Sequence, residues 1–125
     1  MKLLLRREQK SSMLGKISFI LHVRAELTEE EKGYVDKYKM GDILLYSRKD
    51  FAGSTEGLKG LAAVLAHRMM NLTVSTDDLA NGKKIECKDI SEALAVESQI
   101  KEAAASMKGM LVACSTYGGE EVIEY

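Results

Sequence analysis

The chain has 125 residues, with 18 Lys and Arg against 19 Asp and Glu and a formal net charge of −1. A chain of this size buries about two-thirds of its unfolded surface, which supports one hydrophobic core and excludes two independent domains. The 46% hydrophobic and 30% charged fractions exclude a disordered chain, and the balanced charge removes any global pull toward nucleic acid or acidic lipid.

Proline is absent, which excludes Pro-rich linkers and PxxP ligands. With no Trp, five Tyr and two Phe, few side chains are available to stack single-stranded bases. Two cysteines, Cys87 and Cys114, are too few for a disulfide framework and point to a reducing compartment. The apolar run Leu3-Leu4-Leu5 meets Arg6 and Arg7, so it forms no signal-peptide core, and no run approaches a membrane span. The expected setting is cytoplasmic, without membrane attachment.

The first predicted strand is Lys2 to Gln9. The second is Lys16 to Glu26, where Ile17, Phe19, Leu21 and Val23 alternate with Ser18, Ile20, His22 and Arg24. The short Ser/Gly segment between them predicts an antiparallel hairpin. Thr28 and Glu31 then form a capping box, and three Glu residues in the first turn complement the helix dipole. Tyr34, Val35 and Tyr38 line the face of this short helix, and Gly41 offers a left-handed stop. Ile43 to Tyr46 follows as a short strand.

Residues 48–57 lack a period and read as a flexible loop. Leu58, Leu61, Ala62, Leu65 and Met69 recur at helical spacing, weakened by Gly57 and Gly60. Met70 to Thr76 has strand character, with Leu72 and Val74 on one face. Asp77 to Gly82 reads as a turn. Lys83 to Lys88 is a strand with Ile85 and Cys87 on one side.

The longest signal follows. Asp89 and Glu92 form a second capping box. Ala93, Val96, Ile100, Ala103, Met107, Met110 and Cys114 are then spaced 3, 4, 3, 4, 3 and 4, a seam of three heptads. The helix from Asp89 to about Ser115 is about 40 Å long at 1.5 Å per residue. Gly118-Gly119 ends it, and Glu120 to Tyr125 reads as a terminal strand. The fold class is α+β in a single domain over residues 1–125. A mostly antiparallel sheet of five or six strands is packed by the long C-terminal helix and by the shorter helix after Thr28.

Chemical signatures are sparse. His22, His67, Cys87 and Cys114 contain no close chelating pair, so no metal site is expected. The stretch from Gly53 to Gly60 fails the spacing of a phosphate loop, and no G-x-G-x-x-G occurs. No catalytic residue and no cofactor is assigned. An enzyme would need a pocket bringing His22 or Cys87 beside a perturbed carboxylate.

The seam of the long helix, at Val96, Ile100, Ala103, Met107 and Met110, reads as a self-association surface as well as core. The leading expectation is a non-enzymatic interaction module that forms a homodimer. The alternative is a nucleic-acid-associated protein. Residues 1–24 contain six cationic side chains and only Glu8, a local excess of 6 − 1 = +5. Arg6, Arg7, Lys16 and Arg24 are its candidate anion-binding residues.

Overall fold

The computed structural model describes residues 1–53, 59–61 and 71–125. Strands β1 (Lys2–Ser11) and β2 (Ile17–Glu26) form the expected antiparallel hairpin. Its turn closes through Ser12 N–H to Lys16 O and Gly15 N–H to Ser12 O, with Gly15 at φ 78°. That left-handed angle is open to glycine without steric cost. Strand β5 (Lys83–Cys87) pairs antiparallel with the other side of β2, giving the order β1-β2-β5.

β3 (Leu44–Arg48) and β4 (Leu72–Ser75) form a separate antiparallel pair. Among the described residues five strands therefore build two sheets of three and two, rather than the single sheet of five or six expected from the sequence. Strand periodicity reports faces but carries no information on which strands share a ladder. The irregular register between Leu44 and Tyr46 limits the small pair.

Three helices whose full extent lies among the described residues complete the fold. α1 (Glu29–Lys37) begins with the expected reciprocal box: Glu31 N–H donates to Thr28 Oγ1 at 3.1 Å and Thr28 N–H to Glu31 Oε1 at 3.0 Å. Its end does not use Gly41. Lys39 takes the left-handed angle, φ 52°, while a Cβ added to Gly41 would collide with the carboxylate of Asp77. Gly41 is thus a close-approach glycine, held by Asp77 N–H donating to its carbonyl at 3.0 Å.

The segment read as a turn at Asp77–Gly82 is helix α2 (Thr76–Asn81). Ser75 and Asp78 cap it reciprocally and Leu79 is fully buried beneath it. α3 (Ile90–Thr116) runs 27 residues. Asp89 accepts from Glu92 N–H at 2.8 Å, but Glu92 Oε1 accepts in turn from Lys88 N–H, at 3.2 Å, rather than from the N–H of the cap itself.

The length of α3 is used to span both sheets, and it packs on β2, β3, β5 and α1. Val96, Ile100 and Met107 are fully buried and join Val23, Val74 and Leu79 in one core. Phe51 and Ala52 are buried too, so the start of the 48–57 segment is packed down. Residues 54–57 lie outside the described residues. So does most of the helical pattern from Leu58 to Met69, of which only Leu61 is described, and it is exposed. Residues 117–125 form no strand.

Candidate functional site

The sequence-derived seam is divided by the fold. Val96, Ile100, Ala103 and Met107 face inward and are 0–2% exposed, so the chain's own sheets cover them. Met110 lies half-buried at the C-terminal end of α3, where the covering layer stops. The exposed apolar side chains of α3 are instead Ile90, Leu94 and Val112.

In its last two turns α3 still touches the core through Met110 and Cys114, both only partly buried. Met110, Ala113, Cys114 and Tyr117 line one wall of an apolar groove of about 380 Å³, and Tyr38, Met40 and Ile43 line the other. Cys114 Sγ contacts Met40 Sδ at 3.5 Å on its floor. From this end residues 118–125 extend into solvent, with Tyr117, Val122, Ile123 and Tyr125 between 61% and 113% exposed.

The basic hairpin is likewise divided. Cross-strand pairing places Arg6, His22 and Lys84 side by side on the outer face of the three-stranded sheet, with Leu4 and Arg24 in the next row. These residues line an open groove of about 440 Å³. Glu8 lies 3.3 Å from both Arg6 Nη1 and His22 Nε2, and Lys84 pairs with Glu86 at 3.3 Å. Arg24 has no ion-pair partner among the described residues. Arg7 points to the opposite face and is held by Glu97 of α3. Lys16 sits in the turn, at the far end of the hairpin from Arg24. Of the four candidate anion ligands, the fold brings Arg6 and Arg24 together and separates Arg7 and Lys16 from them. Period-two patterning does assign Arg6 and Arg7 to opposite faces; it does not reveal that Glu97 neutralises Arg7.

A buried carboxylate, unforeseen from the sequence beyond its capping role, ties three elements together. Glu31 Oε1 lies 2.9 Å from the Met1 amino nitrogen, and Oε2 accepts from Lys108 Nζ at 3.1 Å. Burial pushes this carboxyl upward, but the Thr28 N–H, the amino group and Lys108 outweigh it and hold it at about 2. A permanently ionised, fully partnered carboxylate is structural rather than a proton carrier.

Cys87 is fully buried, and burial together with Glu92 raises its thiol to about 12. That environment suppresses the thiolate needed for nucleophilic or redox chemistry. Among the described residues no group of three His, Cys, Asp or Glu side chains is placed to hold a metal ion. His67 lies outside them. Among the described residues, no helix is long and apolar enough to cross a membrane.

No family model matches the chain, and no similar protein was found among curated proteins or solved structures.

Proposed function

We propose that this protein is a non-enzymatic interaction module that self-associates as a homodimer in a reducing, cytoplasmic setting. One observation carries the reading: the apolar groove at the C-terminal end of α3, lined by Met110 and Tyr117, and the exposed Val122, Ile123 and Tyr125 that follow it in the chain. The interface is thereby shifted from the seam residues Val96, Ile100, Ala103 and Met107, which the core uses, toward the helix end, with Met110 shared by both. Covering this surface in a symmetric dimer removes apolar area from water twice, once for each copy.

Met110→Glu tests the proposal, because the position is half-exposed and a carboxylate there opposes burial in a dimer while retaining access to solvent in a monomer. Sedimentation velocity is expected to show a dimer for the parent chain and at least about tenfold weaker association for the variant. A parent chain that remains monomeric at 100 µM, roughly the upper range of weak specific association, contradicts the reading.

A second reading rests on the row Arg6, His22 and Lys84 with Arg24 beside it. It makes the outer sheet face a binding surface for nucleic acid. Glu8 and Glu86 already neutralise part of that row, which ranks it second. Fluorescence anisotropy with a labelled oligonucleotide distinguishes it. Binding that falls with salt and is lost in Arg6→Ala/Arg24→Ala supports it, and absence of binding at 50 mM salt removes it.

A further inference from the structure

We infer that the C-terminal segment Glu120–Tyr125 of one copy adds as a strand to the free edge of β1 in a second copy. This rests on the self-association reading above and names the two surfaces that meet. β1 is ten residues long and lies at the end of the order β1-β2-β5. Among the described residues no strand pairs with its other side. In an antiparallel ladder alternate residues direct their N–H and C=O groups away from the partner strand, so such an edge offers about five residues' worth of unpaired backbone groups.

The same chain carries a strand-forming segment that pairs with no strand among the described residues. Val122, Ile123 and Tyr125 favour extended, half-buried backbone, yet all three are more than 60% exposed. At about 3.3 Å per residue, six residues span about 20 Å, well within the length of β1. Gly118 and Gly119, the latter at φ 88°, free the segment from the direction of α3.

The side-chain patterns also match. Ile123 and Tyr125 share one face of an extended segment, and beside β1 they can lie along the half-buried Leu3 and Leu5. Val122 and Glu124 then fall on the outer side, with Leu4 and Arg6.

Charge selects the partner. With Arg7 neutralised by Glu97, β1 carries Lys2, Arg6 and Lys10 against Glu8, 3 − 1 = +2, whereas the segment carries Glu120, Glu121 and Glu124, −3. Edge-to-edge pairing of two β1 strands and pairing of two C-terminal segments both set like charges together. Of these three pairings only the segment on β1 joins opposite charges, and the sheet's other edge, β5, is less basic, with Lys83 and Lys84 against Glu86, 2 − 1 = +1. A twofold axis lets both copies make the exchange at once.

Ile123→Pro tests the assignment in the full chain. Proline removes an N–H and disfavours the strand, while the exposed position leaves the folded core unaltered. Sedimentation velocity and amide hydrogen exchange are measured on both proteins. The expected result is a parent dimer with slowed exchange in residues 121–125, and at least about tenfold weaker dimerisation with loss of that protection in the variant. Equal dimerisation of parent and variant overturns the strand exchange while leaving self-association standing. A monomeric parent overturns both, and a monomer with a protected segment assigns the pairing to the chain's own edge and overturns the exchange.

Discussion

Arg7 on β1 and Glu97 on α3, 90 residues apart, form a two-pronged ion pair in which Arg7 Nε donates to Glu97 Oε2 at 2.9 Å and Arg7 Nη2 donates to the other oxygen. Lys101 reaches the same carboxylate at 3.3 Å. The hydrogen bond from Arg7 is the main cause holding the Glu97 carboxyl below its ordinary value. The contact fastens an outer strand to the helix that covers it, and it withdraws Arg7 from any anion-binding surface. Arg7→Met is expected to lower Tm by only about 2–4 °C, because the guanidinium is largely solvated. The difference should shrink in 1 M salt, where the Debye length is about 3 Å. A salt-independent loss would assign the effect to packing instead.

Glu31 provides the acid sensitivity. Its folded value of about 2 lies below the ordinary value of about 4.3, so between the two the unfolded chain binds the extra proton. The stabilising contribution is complete above about pH 4.5 and is lost as pH falls toward 2. Urea midpoints of the parent chain and Glu31→Gln should therefore differ most near neutral pH and converge in acid. A gap that stays constant from pH 7 to pH 3 contradicts this role.

Ile100 and Leu94 separate core from surface on one helix. Ile100 is fully buried and Leu94 is 59% exposed. Ile100→Ala is expected to cost about 2–5 kcal/mol through lost burial and the cavity left behind. Leu94→Ala should stay within about 0.5 kcal/mol. Equilibrium denaturation at a fixed protein concentration measures both. Equal effects would contradict the assignment of the seam to the chain's own core.

The two thiols should differ in reactivity. With its thiol near 12, Cys87 is about one part in ten thousand thiolate at pH 8, and it is sealed from solvent. Cys114 is partly exposed in the apolar groove. Ellman's reagent should consume one equivalent quickly in the native protein and the second only on unfolding. Cys114→Ser should remove the fast phase. Two fast equivalents would contradict the burial of Cys87.

Much of this fold was legible because local signals and tertiary structure agree. The alternation in β2, the Thr28/Glu31 box and the 3.5-residue spacing of α3 each mark an element and its inward face. The division of five strands into two sheets was not legible, since Leu72 and Val74 declare a buried face without naming a partner. Composition conceals α2, because Asp77, Asp78, Asn81 and Gly82 are all turn formers. The local signal for it is Ser75-x-x-Asp78 with Leu79 behind it. Gly41 is ambiguous for a similar reason: a glycine after a helix suggests a left-handed stop, whereas here its missing Cβ admits Asp77. Of the candidate site, the basic excess of the hairpin was visible in sequence. Its division between Arg6 and Arg24 on one face and Arg7 against Glu97 depends on the helix crossing behind the sheet.

The most direct test of self-association is the molar mass of the freshly purified chain, by light scattering behind size exclusion, over a dilution series with absorbance at 260 and 280 nm. A nucleic-acid-free species approaching twice 13.8 kDa at high concentration and dissociating on dilution is the expected result. A constant monomer mass across the series, or a peak whose nucleic acid is removed only by high salt, would contradict it.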